Sequence, residues 1–241
     1  MAILRAMNLL LLEPEDFTSE DHVLLAGRRL EHVYRIHRAA AGDELRIGVI
    51  GGRTGRGRIG RIDHKSLEMT VRLDAEPPAP LPVKLVLALP RPKVLNRTIA
   101  AAVSMGIREI DLINAWRVEK AYWNSPKLSE KNLKLQSILG LEQAGDTILP
   151  TIRQHRLFVP FVRGDLAQAV NGRLALVADP GGQTVCPRGV TEPVVLAIGP
   201  EGGFIDRELE TFREIGFTAV TLGKRILRVE TALAYLIGRL G

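Results

Sequence analysis

One cysteine, Cys186, stands alone in 241 residues. That scarcity excludes a disulfide framework and any cysteine-cluster metal site, and it fits a reducing compartment, so the expected location is the cytoplasm. The histidines, at positions 22, 32, 37, 64 and 155, form no i,i+4 pair and no H-E-x-x-H, so no metal is expected. Absent too are the G-x-x-x-x-G-K-[ST] loop and the G-x-S-x-G elbow, which removes the commonest phosphoryl-transfer and hydrolase signatures. No apolar run approaches the ~20 residues that span a bilayer. Residues 1–12, MAILRAMNLLLL, are too short, are followed by no small-residue cleavage site, and read as a buried strand. No internal repeat or low-complexity tract is present.

What the chain does have is apolar content of 46%, enough for a sizeable core, and 33 basic against 27 acidic residues, a net +6 that favours a polyanionic partner. The charge is segregated: residues 11–21 hold five acids and no base, whereas 22–72 hold eleven Lys and Arg against five acids. Four prolines crowd residues 77–82, forbidding helix and removing ladder donors. This suits a linker between two domains, about 1–75 and 83–241.

Within the first, Ser19 to Arg38 reads as a helix, with Ser19 as cap and Val23, Leu30, Val33 and Ile36 at near-helical spacing. Stretches at 44–50, 57–62 and 67–73 alternate apolar and polar with period two, as half-buried antiparallel strands do. A small β-barrel with one helix is expected. The second domain carries short continuous apolar runs at 84–89, 109–113, 174–178, 194–198 and 219–222, the mark of parallel strands buried on both faces. Helical patterns at about 92–105, 129–144, 206–215 and 229–240 separate them, predicting an α/β domain.

Gly55-Arg-Gly-Arg-Ile-Gly60 matches a dinucleotide fingerprint in letters, but its neighbours alternate like a strand and no helix opens after it, so a glycine-rich hairpin is favoured. The arginines in and beside it, Arg53, Arg56, Arg58 and Arg61, make either a phosphate-facing stripe or a solvated hairpin. Cys186 precedes Pro187 and has no histidine nearby in sequence, which favours an inert thiol. More informative is Gly199-Pro-Glu-Gly-Gly-Phe204, which follows an apolar strand and precedes a helix with Asp206 as a candidate cap. Open α/β sheets bind ligands at the carboxyl ends of their strands, and glycines there permit close backbone approach. A second such loop, Thr221-Leu-Gly-Lys-Arg-Ile-Leu-Arg-Val-Glu-Thr-Ala232, gathers Lys224, Arg225 and Arg228 near a helix start, where anions are favoured. Two glycine loops ending neighbouring strands predict one pocket.

Taken together, Gly199 to Gly203 and Leu222 to Ala232 resemble the paired signature of the bacterial 16S ribosomal RNA uridine-N3 methyltransferases of the SPOUT superfamily. Glu142-Gln143, Leu149-Pro150, Arg38 and Gly42-Asp43 extend the likeness over nearly the whole chain. The sequence departs from the family pattern at Ala101 and Ser104, where most members carry lysine and glutamate, and at Asn114-Ala-Trp-Arg-Val-Glu-Lys120. The resemblance implies a PUA-like RNA-binding barrel followed by an α/β domain with a deep trefoil knot, in a homodimer that uses S-adenosyl-L-methionine. The implied reaction is methylation of N3 of one uridine, 1498 in the usual numbering of that RNA. It further implies a donor pocket of Leu176, Ala178, Gly199, Glu201, Gly202, Gly203, Leu222, Gly223, Ile226 and Leu227.

Uracil N3 is a poor nucleophile until its proton is lost, so a cation that favours the uracil anion, or a base, is required. Arg228 is the candidate anion stabiliser, and Glu230 the base or loop organiser. Arg5, Arg28, Arg38 and Arg53 are the candidate RNA contacts on the basic first domain. Two alternatives share much of this: a SPOUT ribose 2′-O-methyltransferase acting on ribosomal or transfer RNA, and a non-catalytic RNA-binding assembly factor.

Overall fold

Residues 9–36 and 38–241 are described by a computed structural model; Arg5, like the rest of residues 1–8 of the expected first strand, lies outside them. The chain divides into two units, Met1–Ala79 with Ile138–Leu149, and Pro80–Ser137 with Pro150–Gly241. The proline stretch marks one crossing between units. The second crossing falls inside a helix, where unbroken backbone pairing leaves no punctuation in the sequence to read.

In the first unit, β1 (Leu10–Leu12), β2 (His22–Leu25), β3 (Glu44–Val49), β4 (Thr54–Ile62) and β5 (Leu67–Ala75) form a five-stranded sheet in the order β1-β3-β4-β5-β2. β1 runs parallel to β3 and the other pairs are antiparallel. Period-two patterning sends Val23, Leu25, Ile47, Ile59, Leu67 and Met69 into one core. The helix expected over 19–38 is shorter: α1 spans Gly27–Glu31 and continues through a π-type turn, His32–Ile36. Ser19 caps no helix, because His22–Leu25 pairs with β5 instead and buries Val23 and Leu25 while His22 and Leu24 face out. Apolar spacing at 23, 30 and 33 fits a helix, but cross-strand pairing with Met69 and Leu67 takes Val23 and Leu25 first. Gly55 lies within β4, where an added Cβ would sit 1.9 Å from the Arg72 carbonyl oxygen. These glycines serve close strand pairing in a hairpin, not a pyrophosphate.

The second unit is built on β6 (Val83–Ala88), β7 (Glu109–Ile113), β8 (Thr151–His155), β9 (Leu174–Ala178), β10 (Thr184–Val185), β11 (Val194–Ile198) and β12 (Thr218–Thr221). They make a seven-stranded sheet in the order β10-β12-β9-β11-β6-β7-β8, with every pair parallel. Its central strands β6 and β11 are buried at every residue, which explains their unbroken apolar runs. The helices are α2 (Pro92–Ser104), α3 (Glu130–Ala144), which runs on into the first unit, α4 (Phe158–Phe161), α5 (Ala167–Ala169), α6 (Asp206–Glu214) and α7 (Val229–Leu240). A π-type turn, Val162–Leu166, joins α4 to α5. Two charged residues are buried within the strands: Lys84 and Asp111 meet at 2.6 Å, and Asp111 also bonds His155 at 2.8 Å, whose ring stacks on Phe161. Sequence order brings β6, β7 and β8 out to one edge, then returns to insert β11 beside β6. The reversal leaves a crevice at the carboxyl ends of β9, β11 and β12, the place where open α/β sheets hold ligands.

Candidate functional site

Register puts Ala178 opposite both Ile198 and Val220, so three strands end level with one another. Around those ends lies a cleft with roughly 600 Å³ of empty space, open solvent included, floored by Ala178, Ile198, Val220, Val229 and Ala232. Gly199, Glu201 and Gly203 wall one side, and Leu222, Gly223, Ile226 and Leu227 the other. Eight of the ten residues assigned by resemblance to the donor pocket therefore line one cavity. Leu176 and Gly202 do not line it: Leu176 is buried inside β9, and Gly202 faces Arg117, whose Cδ would lie 2.8 Å from an added Cβ.

Each wall is held from below. Gly203 adopts φ +74°, which only glycine takes without strain, and its amide donates to the Pro200 carbonyl at 2.8 Å. Phe204 then turns into an aromatic cluster, 5.0 Å from the Phe212 ring. Asp206 is not the cap of α6; the carboxylate of Glu208 takes that role, accepting the Ile205 amide at 3.0 Å and the Trp116 amide at 2.7 Å. Glu201 accepts the Arg91 amide at 3.1 Å, and Arg117 donates to the Gly202 carbonyl. Across the cleft, the Thr221 hydroxyl accepts the Gly223 amide at 3.2 Å. Ile226 is 82% exposed at the rim. An apolar floor, exposed aliphatic rims and the charged Asp179, Glu201 and Arg225 fit a ligand with a flat apolar part and a zwitterionic tail.

Arg228 occupies the residue position just before α7, without a side-chain capping bond, and is exposed, while Glu230, half-buried in the first turn, pairs with Arg97 of α2 at 3.2 Å. Neither lines the cleft itself. Sequence reasoning misses Arg91, Arg97 and Arg117, which act on the site from far along the chain. It also misses Asp179 and Pro180, although β9 followed by Gly181-Gly182 repeats the strand-then-glycine signal of the other two loops.

The candidate RNA arginines are less free than their sequence suggests. Arg28 holds Glu142 through two bonds of 3.2 and 3.3 Å, and Arg53 meets Glu76 at 2.7 Å. Within the stripe, Arg56 pairs with Glu44 and Arg61 with Asp63, both at 3.2 Å. Exposed pairs of this kind hold their partners weakly, by about 0–1 kcal/mol, and a phosphate can replace the acid. Arg38 is exposed and takes φ +50°, in the left-handed region. Cys186 is buried, and that burial pushes its thiol up, away from the reactive thiolate.

Residues 77–241 match the family described as the RNA methyltransferase domain. The class of protein is thus an RNA methyltransferase. Over 236 residues the chain is 33% identical to ribosomal RNA small subunit methyltransferase E of Treponema pallidum, covering 94% of this chain and 87% of that one. This chain belongs to that methyltransferase family. The solved structure of ribosomal RNA small subunit methyltransferase E from Neisseria gonorrhoeae, bound to S-adenosyl methionine, superposes with a TM-score of 0.71 at 23% identity and covers 95% of each chain. A Legionella pneumophila protein described as a methyltransferase, in complex with SAM, gives 0.73 at 24% identity over 95% of this chain and 96% of its own. The fold is thus a mixed α/β arrangement shared with these enzymes. Among the described residues no helix is long and apolar enough to cross a membrane, and no cluster of side chains is suited to a metal ion.

Proposed function

We propose that the protein transfers the methyl group of S-adenosyl-L-methionine to N3 of a specific uridine in 16S ribosomal RNA, acting as a cytoplasmic homodimer. In this reading the first unit is a PUA-like RNA-binding barrel and the second a SPOUT domain with a trefoil knot. The observation that carries it is the convergence of three strand ends and two glycine loops on one apolar cleft, with Arg228 at the head of the adjoining helix. Family membership supports the chemistry, and the names of the relatives support the RNA.

When bound, the donor supplies an electrophilic methyl carbon on a sulfonium. The remaining work belongs to the protein: aligning the nucleophile, excluding water and favouring loss of the N3 proton. The guanidinium of Arg228 stabilises negative charge as it develops on the uracil, assisted by the positive end of α7. Glu230 organises rather than accepts the proton, since its carboxylate already ties α7 to Arg97 of α2. The target base must be presented unpaired, because pairing would occupy the N3 edge.

The test is incubation of the full chain with small ribosomal subunits and isotopically labelled donor, followed by nuclease digestion and mass spectrometry. N3-methyluridine is expected. A methylated ribose would favour the 2′-O-methyltransferase reading, and absence of both product and calorimetric donor binding would leave an assembly factor. Arg228→Ala should lower turnover by about 10²–10³-fold, as loss of a transition-state charge partner does, with donor affinity within about twofold.

A further inference from the structure

The cleft accounts for the carboxyl ends of β9, β11 and β12, but the same edge of the sheet continues past β11 to β6 and β7. The loop leaving β7 carries Trp116, which is 79% exposed although its neighbours Ala115 and Val118 are buried. Exposure of so large an apolar ring costs hydrophobic free energy, and a mobile loop would fold it inward. Here the loop backbone is tied down on both sides of the ring. The Trp116 amide donates to Glu208, a residue only 6% exposed, and Arg117 donates to the carbonyl of Gly202 in the glycine loop that walls the cleft.

The surroundings are cationic. Arg91 and Lys93, on the loop and helix after β6, and Arg117 and Lys120, after β7, are all exposed, against the acids Glu119 and Glu201. A rigidly presented aromatic face with lysine and arginine beside it is the chemistry that holds unpaired nucleobases: the ring stacks the base while the cations meet the phosphates. A protein partner would instead call for an apolar patch, and the exposed residues flanking the ring, Arg117, Glu119 and Lys120, are charged.

We propose that Trp116 is the stacking platform for an unpaired nucleobase of the RNA substrate, at or next to the target uridine, and that Arg117 and Glu208 position it against the donor loop. This rests on the methyl-transfer reading above. The donor would occupy the β9, β11 and β12 side of the edge and the acceptor the β6 and β7 side, with the Gly199–Gly203 loop between them.

Three full-length proteins decide it: wild type, Trp116→Ala and Trp116→Phe, assayed with labelled donor and small subunits. Because the ring is exposed and only its backbone amide is bonded, neither change should disturb folding. Trp116→Ala should lower kcat/KM for RNA by roughly 10- to 100-fold, the range expected from losing one base–aromatic stack, and Trp116→Phe should restore most of it. Calorimetric affinity for S-adenosyl-L-methionine should stay within about twofold. Wild-type tryptophan fluorescence should be quenched on adding RNA, and the change should be reduced in both variants. Unchanged kcat/KM in Trp116→Ala alongside an active wild type would overturn the proposal and leave the methyl-transfer reading intact. An inactive wild type that makes no methylated base would instead overturn the reading beneath it. A shift in sedimentation of Trp116→Ala, with RNA kinetics changed only in step with dissociation, would assign the ring to an interface between copies and also overturn it.

Discussion

The two sheets of this chain solve opposite problems. That of the first unit keeps one face wet: β4 and β5 alternate, so Arg56 and Arg58 face out from the strand that buries Gly57 and Ile59. That of the second unit is buried on both faces at β6 and β11, and its cleft lies where the strands end. A half-solvated sheet can present a charged surface anywhere along its strands, whereas a fully covered one must place its function where the strands stop. The difference also sets what charge does. Ion pairs on the first sheet lie mostly in water, as with Arg56 and Glu44, while Lys84 and Asp111 on the second are about 7% and 2% exposed at their side chains.

The sharpest way to break this comparison is to remove one charge from each sheet. Asp111→Ala removes the nearer acid from the buried Lys84 ammonium, leaving it Glu109 at 3.5 Å, and should cost about 3 kcal/mol in urea unfolding, whereas Glu44→Ala should cost no more than about 1 kcal/mol. Equal midpoint shifts would mean that the two environments do not differ as their burial indicates. Next in size is Gly203→Val, which forces a β-branched residue to φ +74° in the cleft wall. Donor affinity should fall at least about tenfold with strain of about 1–3 kcal/mol, read by calorimetry and thermal unfolding together. Undiminished donor binding would move the ligand away from this loop. The smallest effect is expected on the exposed arginines of the first unit, around its sheet. Replacing Arg28, Arg38 and Arg53 by alanine should make the dependence of log RNA affinity on log salt shallower by at most about 2, near 0.7 per phosphate lost, without altering donor binding. An identical slope would mean that their acidic partners keep these arginines from RNA and that the anchor lies elsewhere.

How much was legible follows the same division. The buried parallel strands are readable as continuous apolar runs, and the four long helices α2, α3, α6 and α7 fall within a residue or so of their expected limits, because periodicity is strong in both. β8 carries no such signal: as an edge strand reading Thr-Ile-Arg-Gln-His it is neither apolar nor alternating. His22–Leu25 was hidden by spacing that serves helix and strand equally. In the site, the glycine loops announce themselves by composition, but Arg97 on Glu230 and Arg117 on Gly202 are contacts between residues 133 and 85 positions apart. Only folding brings such pairs into view.

The path of α3 bears on how this protein could be cut or inherited. Since residues 138–149 belong with the first unit, the chain is not two modules joined in tandem but one module looped into the middle of the other. A protease nick in the proline stretch would release no self-sufficient piece, because Gly51 and Gly52 would still bond Thr147 and Arg28 would still hold Glu142 on the far side of the break. The two fragments should instead behave as a split protein that stays assembled after cleavage. By the same logic, a gene truncated at the linker deletes most of one module and leaves behind a strip of it, so the first unit cannot be shed or exchanged by a single recombination event.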